Sequence, residues 1–390
     1  MKHHEFTTQL RDAIKANARN WHENNWPSED KGPEPQFYPA LGRLATRLWH
    51  NALTASVANF YRNQLRPLAR DCVLLLHPAL IYRRRAAAFS DVEYLYQLLD
   101  NEDSRALLVK VIAYRIMGHK KVRLPRNTPK HGELLKQSAD LPIVGPLLKI
   151  SFMDISLQLR DLSSIGFDLR TYCTIGGCSY VFLQRQYEYH CGEVHCKAEA
   201  GDVVIDAGAC WGETSLYFAH EVGPQGRVMS FEFIPSNLEV LNRNIAANPE
   251  LEPRITVVAR PLWDEPARTL YYVDWGPGSR VSFSKLREDF ADTRCETTTI
   301  DKVAEDLDLA RLDLIKMDIE GAELNALKGA ERCIRQFHPK LAISLYHNIE
   351  DFSTIPRYLS SLGLSYKYYL DHHTIYENET VLFAMPQKPP

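Results

Sequence analysis

The stretch Gly201-Asp202-Val203-Val204-Ile205-Asp206-Ala207-Gly208-Ala209-Cys210-Trp211-Gly212 decides the fold of this 390-residue chain. Val203, Val204 and Ile205 are consecutive branched apolar residues, which suits a strand buried on both faces. Gly208 and Gly212 follow where the chain must turn sharply from strand to helix. In open α/β sheets such a turn holds a ligand against bare backbone.

The composition of the turn bears on the ligand. A dinucleotide fingerprint reads Gly-x-Gly-x-x-Gly, so that backbone and a helix N-terminus receive a pyrophosphate. Here Asp206 takes the place of the first glycine and the last is displaced by one, giving Asp-x-Gly-x-x-x-Gly. A carboxylate at that spot repels a pyrophosphate and suits a ligand with an ammonium and no phosphate, a description that S-adenosylmethionine fits. A turn whose glycines serve only close packing reads the same way, so a second feature is needed. It sits one strand on: Arg227 to Glu232 reads as a strand ending in an acid 26 residues after Asp206. That is about the spacing to the acid that accepts hydrogen bonds from ribose hydroxyls. The expected cofactor contacts are therefore Asp206, Ala207, Gly208, Ala209 and Gly212 in the turn, with Glu232 on the ribose.

Three runs together carry a resemblance. Val203 to Ala219, Ser230 to Asn237 (Ser-Phe-Glu-Phe-Ile-Pro-Ser-Asn) and Asp313 to Glu323 (Asp-Leu-Ile-Lys-Met-Asp-Ile-Glu-Gly-Ala-Glu) resemble the FkbM family of S-adenosylmethionine-dependent methyltransferases. The resemblance covers residues 201–386 and departs from the family at Phe233-Ile234, where many members place a proline directly after the acid. It implies methylation of hydroxyl oxygens on sugars or natural products. It also implies that the end of the third strand, with Trp263, borders the adenine. Finally, it implies that an acid ending the fourth strand, Asp318, binds the methionine ammonium or positions the acceptor.

Strands alternate with helical patterns after residue 201: Ile255 to Val258, Leu312 to Met317 ending in Asp318-Ile319-Glu320, Lys340 to Tyr346 ending in His347-Asn348, then Tyr366 to Leu370 and Thr380 to Ala384 as a closing antiparallel pair. This order predicts an α/β fold: a doubly wound, mostly parallel Rossmann-like sheet with ligands at the carboxyl ends of its strands. Asp206, Glu232, Asp318 and His347 all fall on that rim. Methyl transfer to a hydroxyl needs an aligned oxygen and an acceptor for its proton, and His347, which ordinarily titrates near neutrality, is the candidate base. Asp318 and Glu320 are candidate catalytic acids, while Glu320 and Glu323 also suit a helix N-terminus electrostatically. Alternatively, Asp318, His347 and Asn348 gather a divalent metal that acidifies a bound hydroxyl.

Three regions are expected: residues 1–142 mainly helical, 143–200 a β-containing connection covering the catalytic domain, and 201–390 the cofactor domain. Asn24 to Pro39, with five prolines or glycines, reads as a linker. Leu41, Leu44, Ala45 and Leu48 form one helical face. Asp103 or Ser104 is expected to cap a helix burying Leu107, Leu108, Val111 and Ile112 and stopped by Gly118. Tyr271 to Val281, around Gly276-Pro277-Gly278, reads as an inserted hairpin. Tyr187, Tyr189 and His190 are acceptor-facing or core.

A net charge of -3 and a pI near 6.5 give no positive field to gather nucleic acid, which excludes it as the expected substrate. The N-terminus lacks a signal pattern, and the longest apolar run, Cys72 to Tyr82, is too short to span a bilayer, so the expected location is cytoplasmic. Arg83-Arg84-Arg85 reads as a solvated face or an anion-binding patch. Cys173, Cys178, Cys191 and Cys196 have four-residue spacers, wider than most zinc ribbons, and read as scattered apolar thiols rather than a metal site. The competing functions are a nicotinamide-dependent oxidoreductase on the same sheet, disfavoured by Asp206, and a non-catalytic binding module.

Overall fold

A computed structural model describes residues 5–18, 20, 91–150, 152–283 and 293–387. The expected linker at 24–39, the helical face at 41–48, the apolar run at 72–82 and the arginines at 83–85 lie outside the described residues. Among the described residues, no helix is long and apolar enough to cross a membrane.

A seven-stranded sheet forms the centre. Its strands are β1 (Val203–Ala207), β2 (Arg227–Phe231), β3 (Ile255–Val258), β4 (Leu314–Met317), β5 (Lys340–Ser344), β6 (Tyr366–His372) and β7 (Thr380–Pro386). Their spatial order is β6-β7-β5-β4-β1-β2-β3. Strands β1 to β5 pair in parallel, and β7 runs antiparallel to both β5 and β6. The doubly wound sheet with its antiparallel closure is as the sequence predicts. Strand order reverses between β1 and β4, which makes the crevice at their carboxyl ends the ligand position of this architecture.

Alternation along each strand builds two apolar layers. Ile205, Met229, Ile315 and Leu341 join a core with the N-terminal helices and the helices Glu323–Lys328, Glu331–Phe337 and Asp351–Ser361. Val204, Val228, Leu314 and Ala342 point the other way, to the helix Glu213–Glu221 and to Phe167, Phe182, Tyr187 and Tyr189 of the connecting region. The connection therefore packs on one face of the sheet. It is less purely β than the sequence suggests. A three-stranded antiparallel sheet (Ile143–Lys149, Ser156–Asp161, Arg170–Cys173) is followed by helical turns from Ile175 to Leu183 and a hairpin, Tyr189–Cys191 with Val194–Cys196.

The helix Glu102–Met117 buries Leu108, Val111 and Ile112 and ends at Gly118, as its periodicity requires. Its cap is Asn101, whose side chain accepts from the Ser104 amide, rather than Asp103 or Ser104. This helical region is fastened to the free edge of the sheet: Leu99 bridges to Tyr368, the Asp100 carboxylate accepts from the Tyr368 amide at 2.7 Å, and the Ser104 hydroxyl accepts from the Leu370 amide at 2.9 Å. The expected hairpin around Gly276–Gly278 is present, Thr269–Val273 against Arg280–Ser282, and Arg294–Glu296 adds a third strand.

At the crevice the first turn packs directly on the end of β4. Gly208 has φ +80°, and a Cβ there would lie 1.9 Å from the Asp318 carbonyl oxygen. The left-handed backbone alone costs a side chain about 1–2 kcal/mol. Gly208→Ala is therefore expected to lower the melting temperature by about 5 °C or more. An unchanged melting curve would mean that turn and strand are not in this contact.

Candidate functional site

Asp206, at the end of β1, is fully committed inside the protein. It sits in register opposite Lys316 of β4, and the Lys316 ammonium lies 2.9 Å from its Oδ1, with side-chain exposures of 1% and 0%. Thr214 and Ser215, in the first turn of the following helix, each donate to Oδ2 at 2.7 Å. Lys316 also donates to the carbonyls of Gly208 (2.7 Å) and Ala207 (3.2 Å). The ammonium that the carboxylate was expected to attract is thus supplied by the chain itself. This corrects the electrostatic argument from Asp206: its charge is neutralised before any ligand arrives. What the residue does is brace the turn. Gly208 and Ala209 amides donate to the Phe231 carbonyl at 3.1 and 3.0 Å, and Gly212, at φ +92°, opens the helix.

Glu232, at the end of β2, is buried and bound by its own loop. Oε1 accepts from the amides of Phe233 (2.7 Å) and Ile234 (2.8 Å), and Oε2 accepts from the Asn237 side chain at 3.1 Å. Burial raises its pKa to about 7 against those hydrogen bonds, which pull it down. With phenylalanine rather than proline at position 233, that residue's amide is available to the carboxylate. Trp263 follows β3 and packs edge-on against Phe283 at 5.1 Å, while its amide donates to the Thr298 carbonyl at 2.9 Å. Those contacts tie it to the segment before the helix Ile300–Asp306.

The ends of β4 and β5 converge. Tyr187 donates to Oδ2 of Asp318 at 2.7 Å, and Tyr346 donates to Oδ1 at 2.9 Å and Oδ2 at 3.1 Å. Burial first, then the Asp318 charge, pushes both phenols well above their ordinary pKa, so they remain O–H donors. His347 Nε2 lies 3.3 Å from Asp318 and 3.8 Å from Glu320, and its Nδ1 lies 2.9 Å from Glu323. Glu323 in turn accepts from the Ile319 amide at 2.8 Å. Burial lowers the imidazole pKa, but the hydrogen bond to Glu323 and the charges of Asp318, Glu323 and Glu320 outweigh it, giving about 10. At neutral pH His347 is an imidazolium. The titration near neutrality that recommended it as a base is absent in this arrangement.

Glu379, between β6 and β7, faces the same group. Gln186 and Asn378 donate to it, and burial together with the Asp318 charge raises its pKa to about 8. Asn348 turns away: its side chain and its amide both donate to Asp351. It does not join Asp318 and His347 as the metal alternative assumed. Of the three aromatic candidates in the connection, only Tyr187 is placed at this site. Tyr189 stacks on Tyr369 at 4.9 Å, and His190 faces His195 across the hairpin with 2.9 Å between their Nδ1 atoms. The four spaced cysteines are unpaired thiols, and Cys173, Cys178 and Cys196 are buried. Among the described residues, the group with metal-ligand spacing is Asp318, Glu323 and His347.

Residues 195–368 match the Methyltransferase FkbM domain. The matched segment is an FkbM methyltransferase domain. A relative from Sordaria araneosa, Methyltransferase sdnD, is 27% identical over 196 residues, 43% of this chain and 75% of that protein. The crystal structure of Methyltransferase FkbM from Methylobacillus flagellatus is 22% identical with a TM-score of 0.46, and the overlap covers 78% of this chain but 59% of that one. Aeropyrum pernix fibrillarin, solved with S-adenosyl-L-methionine, is 13% identical with a TM-score of 0.37, covering 63% of this chain and 100% of that one.

With the methyltransferase domain in place, the nicotinamide reading falls on the family match, not on the charge of Asp206. The FkbM domain contains Asp206, Glu232, Trp263, Asp318, Glu320, Glu323 and His347. Tyr187, Gln186 and Glu379 lie outside the match and complete the rim. So does Arg115, from the helix Glu102–Met117, which donates to the carbonyls of Tyr346 (2.9 Å) and Glu377 (2.8 Å).

Proposed function

We propose that the chain transfers a methyl group from S-adenosylmethionine to a hydroxyl of a sugar, glycan or natural-product acceptor. The observation that carries this reading is the juxtaposition at the strand-order reversal: the glycine turn lies against Asp318, with Glu232 at the end of the neighbouring strand. The fit to the donor rests on that cradle. Gly208 leaves no room for a side chain, Glu232 is a buried carboxylate at the end of the neighbouring strand, and Asp318 is a carboxylate for the methionine ammonium or the acceptor. When bound, S-adenosylmethionine supplies a methyl group on a positively charged sulfur. The hydroxyl oxygen forms the new C–O bond as the C–S bond breaks and its electron pair returns to sulfur. The hydroxyl proton leaves toward the carboxylates around His347, Asp318 foremost. Tyr187 and Tyr346 hold Asp318 in place from two sides, which favours in-line alignment over adaptability. Acceptor class follows the FkbM resemblance, and the polar, aromatic rim supports it.

Titration with the donor tests the reading, and Glu232 gives it a pH signature. A carboxyl with a pKa near 7 is mostly protonated below that pH and loses its capacity to accept from both ribose hydroxyls. Donor affinity is expected to rise about tenfold between about pH 6 and about pH 8. Glu232→Gln is expected to bind more weakly and to flatten the profile. The same group contributes to folding with the opposite sense: because its folded pKa exceeds the ordinary value, the stability it adds is complete at low pH and is lost as pH rises from about 4.5 to about 7. Calorimetry at several pH values separates the two, and a flat wild-type binding profile would remove Glu232 from the ribose. No measurable donor binding at any pH would overturn the methyl-transfer reading itself.

A further inference from the structure

We propose that Asp318, Glu323 and His347 hold a divalent cation of the Mg²⁺ or Mn²⁺ class at the carboxyl ends of β4 and β5, with Glu320 closing the solvent side. One ligand atom from each of the three lies within 4.8 Å of the others. The imidazole Nε2 is 3.3 Å from Asp318 Oδ1 and 3.8 Å from Glu320 Oε1. Neighbouring ligands around a cation at about 2.0–2.2 Å stand about 3.0–3.5 Å apart, so the first separation suits an ion between the two atoms.

A second observation is independent of the spacing. The His347 side chain is 8% exposed and meets a carboxylate at each ring nitrogen, while Oε2 of the fully buried Glu323 is without a hydrogen-bond partner. A buried carboxylate oxygen left without a partner is destabilising until a ligand supplies one. Three carboxylates face this single imidazole, and the nearby Lys316 ammonium is spent on Asp206 and the turn carbonyls. An oxygen-rich set with one imidazole and no thiolate suits Mg²⁺ or Mn²⁺ better than a thiolate-seeking metal, and the incoming ion displaces the proton from the ring nitrogen it takes. The role of the ion rests on the hydroxyl-methylation reading: coordinated to the acceptor oxygen, it lowers the pKa of the hydroxyl and so eases the proton's departure.

The test uses the full-length protein with Mn²⁺ alone, without donor or acceptor. Paramagnetic resonance titration is expected to find one Mn²⁺ per chain with a dissociation constant of about 100 µM or below. Pulsed spectra are expected to show modulation from an imidazole nitrogen. His347→Ala and Asp318→Asn are each expected to weaken binding at least about tenfold. The nitrogen signature is read on the unsubstituted chain, so it stands even if a variant folds poorly. Absence of binding at about 1 mM Mn²⁺, binding without nitrogen modulation, or unchanged affinity in a folded His347→Ala variant would overturn the site. Failure of the methyl-transfer reading appears elsewhere, as absent S-adenosylmethionine binding, so the two outcomes are distinguishable.

Discussion

Lys316→Met is expected to destabilise the protein by about 3–5 kcal/mol, because it removes the counter-ion from a carboxylate with no access to water. For a domain of this size that corresponds to a fall in melting temperature of about 10 °C. The loss extends beyond the ion pair. The same ammonium donates to the Ala207 and Gly208 carbonyls, so the turn at the crevice loses its brace together with Asp206. Asp206→Asn in the Lys316→Met background is expected to recover much of the loss, since the buried charge then disappears and Thr214 and Ser215 still have an acceptor. A Lys316→Met variant within about 1 kcal/mol of wild type by urea unfolding would show that the pair is not the anchor described here.

Asp318→Asn is expected to lower kcat by about 10²–10⁴-fold, the range for removing a group that receives a proton in the transition state. The accompanying change in donor affinity assigns its role. A rise in the S-adenosylmethionine dissociation constant parallel to the fall in kcat would mark Asp318 as the partner of the methionine ammonium. An unchanged constant would mark it as acting on the acceptor. Turnover near the wild-type rate would remove Asp318 from the chemistry altogether. The substitution also leaves Tyr187 and Tyr346 competing for one acceptor oxygen, so a stability cost of about 1–3 kcal/mol belongs in the comparison.

Reading strands and their terminal residues in the sequence was sufficient to place Asp206, Glu232, Asp318 and His347 on one rim, because that depends only on where apolar runs stop. Their protonation and partners were not legible, because those depend on side chains far away in sequence. Lys316 is the clearest case. As a charge inside the otherwise apolar run Leu314 to Met317 it signals a buried partner, but only the β1–β4 register names Asp206 as that partner. His347 read as a neutral base because nothing in Tyr346-His347-Asn348 reveals that Glu323, on the helix after the neighbouring strand, stands 2.9 Å from its ring. Within the β-containing connection, the strand Ile143–Lys149 carries a proline at position 146. A proline argues against a central strand, while at the edge of a three-stranded sheet it needs no ladder partner.

The guanidinium of Arg115 reaches from a helix outside the FkbM match to the chain on both sides of the rim, at Tyr346 and at Glu377. The family match and the packed group around Asp318 therefore have different borders in this chain. Asp206, Glu232 and Asp318 lie within the matched residues, whereas Arg115, Gln186, Tyr187 and Glu379, which surround the ends of β4 and β5, lie outside them. Cutting the chain back to residues 195–368 would remove the guanidinium that bridges the Tyr346 and Glu377 carbonyls, together with the Tyr187 hydroxyl on Asp318.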